Sequence, residues 1–257
     1  MLGTIVGDIV GSVYEFDNHK SKDFPLFRED STFTDDTILT IATADALMTD
    51  MDFAGKYREY GRRYPSSYGQ RFGSWLRDDS AGPYDSFGNG SAMRVSPVAW
   101  FSDDEDEVME LARQSAEVTH NHPEGVKGAQ ATAMAILWAR TGVSCGRIRR
   151  DIEKRFEYDL STSVDELRET YEYNETCQQT VPEAIVCFLE ADGFEDVIRN
   201  AISIGGDSDT LAAIAGGIAE ATYGIPDDIQ QAAVARLDAQ LAETLAIFRT
   251  RYVPANE

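Results

Sequence analysis

The sequence predicts an all-α fold. Three observations carry that expectation. Apolar residues recur at helical spacing through the middle and end of the 257-residue chain. Strand-like alternation, apolar against polar at every second residue, finds no convincing match. Only two stretches, Asn18 to Ser31 (NHKSKDFPLFREDS) and Asp79 to Gly90 (DSAGPYDSFGNG), resist helix assignment, and both read as long loops of the kind that often carry function.

The elements follow in order. Gly7 to Glu15 (GDIVGSVYE) reads as a helix that ends at Glu15; Gly7 and Gly11, four residues apart, would share a face and allow close helix contact. Asp8 and Glu15, at i and i+7, would share a broad face of the same helix. Thr37 to Thr49 places apolar residues at helical spacing without internal Gly or Pro. Asp106 to Val118 carries acids in its first turn, which suit the positive end of a helix dipole. Gly125 to Arg140, rich in Ala and larger apolar residues, predicts a mostly buried helix. Cys145 to Phe156 and Ser163 to Tyr173 read as shorter amphipathic helices. Pro182 to Leu189 follows with proline at a first helical position, then Phe194 to Ser203 and Thr210 to Tyr223. Pro226 to Phe248 reads as one long closing helix. With no repeat, linker or low-complexity segment, residues 1–257 are expected to form a single domain.

Composition narrows the function classes. Hydrophobic residues make up 42%, enough for a sizeable core. Against 45 Asp and Glu stand only 23 Lys and Arg, a net charge of −22, which disfavours a basic nucleic-acid-binding face. Such an excess suits ordinary solubility or a high-salt cytoplasm. No apolar run approaches the roughly 18 residues of a membrane span, so no membrane partner is expected. The start, Met1 to Asp8, lacks the basic region of a signal peptide, which points to the cytoplasm. Cys145, Cys177 and Cys187 are odd in number and without CxxC spacing, which argues for reduced, mostly core residues.

The acids gather in two knots. Thr34-Asp35-Asp36-Thr37 stands directly before an apolar helix, where a Thr or Asp serves as an N-cap. A cap does not require a second adjacent acid, and neighbouring carboxylates repel unless a cation or the dipole compensates. Gly205-Gly206-Asp207-Ser208-Asp209-Thr210 opens another helix, and its two acids can point at one centre. It too can be read as a capping turn. Together the knots supply six hard oxygen donors, more than one Mg²⁺ usually takes from protein, and two ions roughly 3.5–4 Å apart would share them most simply. Elsewhere, Gly88-Asn89-Gly90-Ser91-Ala92-Met93-Arg94 is a glycine-rich turn of a kind that can present N–H groups to a diphosphate; Arg94 could instead pair with a buried acid. Thr119-His120-Asn121-His122-Pro123-Glu124-Gly125 offers imidazoles to a metal, sugar or phosphate, and also reads as a helix-to-helix turn.

Taken in order, GDIVGSVYE, FTDDT, GNGSAMRVSP, THNHPEG with VKGAQA, CQQTVPEAI and GGDSDTLAAIAGGIAEATYG resemble the ADP-ribosylglycohydrolase family, which includes the dinitrogenase reductase activating glycohydrolases. The resemblance spans essentially the whole chain. It implies a compact orthogonal helix bundle with a dinuclear magnesium centre in a central cleft. It places the metal ligands on Thr34, Asp35, Asp36, Asp207, Asp209 and Thr210, for two Mg²⁺ with Mn²⁺ as the alternative ion. It places Glu15 beside a loop over the substrate, with Asn18 to Ser31 a short candidate for that lid. Gly88, Asn89, Gly90 and Ser91, with Met93 following, would cradle the diphosphate, and His120 and His122 would lie near ribose and phosphates.

The implied reaction is hydrolysis of the glycosidic bond between ADP-ribose and an acceptor on a protein or small molecule. Asp35, Asp36 or Asp209 would orient or deprotonate the attacking water, and Glu15 would hold the ribose or assist the leaving group. A monomer is the expected state, and nucleic acid is expected only as a modified substrate. Two rival readings share the metal pattern: a metal-dependent phosphohydrolase or pyrophosphatase, and a non-catalytic reader of ADP-ribose.

Overall fold

The computed structural model describes residues 1–66 and 68–254. Fifteen helices are found among them: α1 Leu2–Gly11, α2 Asp35–Met48, α3 Phe53–Arg63, α4 Gln70–Arg77, the single turns α5 Gly90–Met93 and α6 Val98–Phe101, α7 Glu105–Glu117, α8 Pro123–Arg140, α9 Cys145–Phe156, α10 Val164–Thr170, α11 Cys177–Leu189, α12 Phe194–Ser203, α13 Ser208–Tyr223, α14 Asp227–Val234 and α15 Ala239–Tyr252. No strand occurs among the described residues; one isolated antiparallel bridge joins Gly88 to Thr176. The fold is therefore all-α, and the helices share one hydrophobic core. No helix among the described residues is long and apolar enough to cross a membrane.

Local chemistry sets several helix starts. Asp104 caps α7 by accepting from Glu107 N–H, and Ser163 with Glu166 forms a reciprocal capping box on α10. Pro123 occupies the first turn of α8, where a missing N–H costs nothing. Amphipathic helices such as α3, α9 and α12 lie outside, while α1 and the first thirteen residues of α13 are buried on every side. Two helices can run that close only with small residues between them. A Cβ added at Gly7 would lie 2.0 Å from the Ala212 carbonyl oxygen, so α1 and α13 touch backbone to backbone.

Several boundaries differ from the sequence expectations. The first helix stops at Gly11, not Glu15, and Glu15 sits in the turn beyond, closed by Asn18 Nδ2 donating to the Glu15 carbonyl at 2.9 Å. Asp8 and Glu15 thus share no helix face. Pro182 lies inside α11 rather than at its start. The preceding turn is anchored from outside, since Cys177 N–H donates to the Phe87 carbonyl and Cys177 Sγ to that of Gly88. The closing segment is two helices. Asp238 accepts from Leu241 N–H at 2.8 Å and starts α15 as a fresh helix after α14 has ended at Val234. α3, α4, α5 and α6 go beyond the helices expected from sequence; α3 buries Phe53, Tyr57 and Tyr60 at helical spacing.

Candidate metal centre and cleft

The first acidic knot lies at the N-terminus of α2. Thr34 is extended there (φ −117°, ψ −162°), and its Oγ1 accepts from Asp36 N–H at 3.3 Å, the N-cap anticipated from sequence. A second carboxylate reaches the same helix end from α1. Asp8, fully buried, accepts from Thr34 N–H (2.9 Å) and Thr37 N–H (3.0 Å) on one oxygen and from Thr34 Oγ1–H (2.7 Å) on the other.

The second knot is built differently. Gly205 and Gly206 both have left-handed backbones (φ +70° and +78°), a conformation that side chains resist. Asn18 reads this turn twice, accepting from Gly206 N–H at 2.5 Å and donating to the Gly206 carbonyl at 3.3 Å. Lys20 Nζ donates to the Ile204 carbonyl just before it and to Tyr171 O. The Asn18 to Ser31 loop, considered above as a lid, is instead tied to this turn and to α12, where Arg199 donates to the carbonyls of Lys22 and Phe24. Its stem serves as a brace.

The two knots meet. Thr210 Oγ1 donates to Asp36 Oδ2 at 3.4 Å across 174 positions of sequence. Oxygens of Asp8, Asp36 and Asp209 lie within 4.8 Å of one another, and so do oxygens of Glu15, Asp207 and Asp209. Asp209 belongs to both groups. Thr34, Asp35, Asp36, Asp207, Asp209 and Thr210 all line one cleft of about 830 Å³.

Burial and mutual repulsion raise these acids together. Burial, then the charges of Asp209 and Asp8, push Asp35 up to about 7. Asp36 and Asp209 are raised well above the carboxylate range, chiefly by burial and secondarily by neighbouring acids. Asp207 rises to about 6, again first through burial, despite accepting from Asn89 Nδ2 at 2.7 Å. Glu15, half-buried, rises to about 8 through burial and the charges of Asp209 and Asp35. Asp36 Oδ1 is buried with no hydrogen-bond partner among the described residues. A divalent cation would supply both what that oxygen lacks and the missing positive charge, and the all-oxygen donor set suits a hard ion.

The remaining candidates divide. Gly88, Asn89, Gly90, Met93 and His120 line the cleft, and Glu15 lies at the same wall. Ser91 does not: its hydroxyl donates to the Gly125 carbonyl at 2.7 Å, away from the cleft. Nor does His122, whose Nδ1 accepts from Glu124 N–H as the N-cap of α8. Gly88 and Asn89 use their N–H groups internally, on Ser86 Oγ and the Glu175 carbonyl, so the turn offers a ligand close approach more than those two donors. His120 stands against the turn, 3.2 Å from where a Cβ on Gly90 would sit. Burial, then Arg94 and Arg71, lower its pKa well below the usual value, so it is neutral. Among the described residues Arg94 pairs with no acid. It donates to Ser115 O and Thr119 Oγ1 and lies 4.2 Å over the Tyr57 ring. Tyr173 and Glu175, which sequence reasoning did not single out, also line the cleft, and Tyr173 Oη reaches Glu15 at 3.5 Å and Glu175 at 2.8 Å. Local pattern gave no signal for either.

Comparison with known proteins agrees in fold and extent. The profile described as ADP-ribosylglycohydrolase matches residues 1–255. ADP-ribosylhydrolase ARH3 of Danio rerio is 26% identical, over 88% of this chain and 82% of its own. ADP-ribosylhydrolase ARH3 of Homo sapiens is 25% identical, over 90% and 87%. ADP-ribosylarginine hydrolase Tri1 of Pseudomonas putida is 28% identical, over 95% and 76%. A solved structure titled ADP-ribosylglycohydrolase-related protein complex superposes with a TM-score of 0.70 at 24% identity, covering 96% of both chains.

Proposed function

The chain belongs to the ADP-ribosylglycohydrolase family, and from that premise we propose that it hydrolyses the glycosidic bond between ADP-ribose and an acceptor, using two divalent cations, Mg²⁺ or Mn²⁺. One observation carries the reading: two acidic knots from opposite ends of the chain converge on one cleft, with Asp209 common to two groups of carboxylate oxygens. A shared carboxylate between two such groups is what a pair of ions needs.

Thr34, Asp35, Asp36, Asp207, Asp209 and Thr210 would hold the cations. When bound, ions of this class draw sugar hydroxyls into place and acidify a nearby water. The chain's own groups supply the rest. Asp35, Asp36 or Asp209 orients that water and takes its proton as the bond to the anomeric carbon loosens toward an oxocarbenium-like state. Glu15 lies at the same wall of the cleft, where it would hold the ribose or assist the leaving group. The glycine turn at Gly88 and Gly90 lets a diphosphate approach the backbone, with neutral His120 beside it. The cleft is lined by residues of one chain, which supports a monomer acting on an ADP-ribosylated protein or small molecule.

The test is a panel of ADP-ribosylated arginine, serine and DNA with O-acetyl-ADP-ribose, incubated with Mg²⁺ or EDTA and resolved by chromatography. Free ADP-ribose, formed with Mg²⁺ and not with EDTA, is expected. AMP or orthophosphate as product would replace this reading with a phosphohydrolase. Tight binding without release would make the protein a reader of ADP-ribose.

A further inference from the structure

The geometry points to Asp8 as a positioning residue that fixes the proton of Thr34 so that the hydroxyl turns an unshared electron pair to the cations, an inference that rests on the metal reading above. Asp8 does not line the cleft, whereas Thr34 does. It stands behind Thr34, fully buried in α1 amid Ile5, Val6, Ile9 and Val10. An acid in such surroundings is costly unless its oxygens are satisfied. They are, by three donors from α2 and its cap: Thr34 N–H and Thr37 N–H on Oδ2, and Thr34 Oγ1–H on Oδ1. An oxygen of Asp8 lies within 4.8 Å of oxygens of Asp36 and Asp209, but both Asp8 oxygens are already engaged by α2 and its cap and the side chain does not line the cleft, so Asp8 acts as an anchor beside the ligands.

The count at Thr34 Oγ1 gives the anchor its consequence. A hydroxyl has one proton and two lone pairs. The proton goes to Asp8 Oδ1 at 2.7 Å, and Asp36 N–H takes one lone pair at 3.3 Å. One lone pair is left, and Thr34 lines the cleft where the cations would sit. Burial raises the Asp8 carboxyl, but two backbone N–H groups on Oδ2 and the Thr34 hydroxyl on Oδ1 all donate to it and favour its ionised form, which can only accept and so holds the hydroxyl in this sense. It binds the α2 N-terminus at the same time, which sets the backbone carrying Asp35 and Asp36. Outer partners of this kind orient ligands and tune affinity.

The D8N variant reverses the polarity. Its amide oxygen can still accept from the backbone N–H groups of Thr34 and Thr37, but its NH₂ then faces Thr34 Oγ1. The hydroxyl must accept that donor, and its own proton swings toward the cleft. Mn²⁺ binding to the full-length, substrate-free protein is the readout, by calorimetry or by the spin resonance of free Mn²⁺. D8N is expected to bind Mn²⁺ about tenfold to a hundredfold more weakly while keeping its helical circular dichroism in EDTA. T34V should lose affinity as well, T34S should retain it, and D8N/T34V should bind no more weakly than T34V, because Asp8 acts through that hydroxyl. Additive losses, or D8N with wild-type affinity, overturn the inference. Should D8N not fold, D8E keeps the charge and displaces the oxygens by one methylene; weakened binding that is again non-additive with T34V supports the inference, and wild-type affinity overturns it. Wild-type protein that takes up no Mn²⁺ sinks the metal reading and this inference together, whereas Mn²⁺ uptake indifferent to Asp8 sinks this inference alone.

Discussion

The two acidic knots present similar oxygens on backbones built in opposite ways. At Thr34-Asp35-Asp36 the chain is extended and then helical, with no glycine, and its shape is held by side chains: its own threonine cap and Asp8 from α1. At Asp207-Ser208-Asp209 the shape is made by backbone, through two left-handed glycines that Asn18 clamps from both sides. Side-chain shaping leaves the first knot open to tuning by one distant residue. Backbone shaping makes the second knot intolerant of any Cβ, since one added at Gly206 would meet Tyr171 Cε1 at 2.5 Å. The comparison teaches that a convergent site needs only its donor atoms in common.

That contrast can be broken experimentally. The largest effect should come where the knots join. D209N removes the carboxylate common to both oxygen groups, and the loss of several kcal/mol of charge stabilisation should cost on the order of a thousandfold in kcat, with cation binding lost in calorimetry. A D209N protein with wild-type turnover would remove the site. Next, G206A should destabilise the second knot by about 2–4 kcal/mol, from the left-handed strain and the clash together, as a lower denaturation midpoint. T34S at the first knot keeps the hydroxyl that caps α2 and satisfies Asp8 Oδ1, and should cost less than about 1 kcal/mol of fold stability. Equal stability losses would contradict the division into backbone-made and side-chain-made knots. N18A should cost about 1–3 kcal/mol by leaving Gly206 without its clamp, and should weaken Mn²⁺ binding while leaving the first knot's cap in place.

A smaller, graded effect concerns pH. Asp207, Asp35 and Glu15 hold their protons to about 6, 7 and 8 in the folded, cation-free chain, against about 4 when unfolded. Between about pH 4 and pH 8 the folded form therefore carries more of these protons than the unfolded form, and the cluster's contribution to stability falls as pH rises. In EDTA, the Tm should drop from pH 5.5 to pH 8 by more in the wild type than in D209N, which lacks one of the repelling charges. Added Mg²⁺ should restore the wild-type Tm at pH 8 and do little for D209N. A Tm in EDTA that is flat across this range would show that the carboxylates do not repel as their burial implies.

Much of the molecule is written in local pattern. Periodicity marks α2, α7, α8, α9, α12 and α13 because a helix is made by contacts three and four residues apart, within reach of any short window of sequence. The same locality sets the errors. Pro182 looks like a start until Cys177 is seen anchored by the Gly88 turn, and the Pro226 to Phe248 run looks continuous until Asp238 is seen capping a second helix. Asp8 carried a signal that went unused: an acid in the middle of Ile5, Val6, Ile9 and Val10 has to find donors somewhere.

The chain by itself determined the helical class, the acidic balance, the two knots with their six oxygen donors, and the order of the motifs that carry its resemblance to the family. Tertiary structure alone decided which donors face one another. It set Thr210 against Asp36 across 174 positions, turned Ser91 and His122 to other partners, brought Tyr173 and Glu175 to the cleft, and stationed Asp8 behind Thr34. The reason is physical: a side chain's type is fixed by sequence, but its direction follows from the helix it rides on and the helices packed against it.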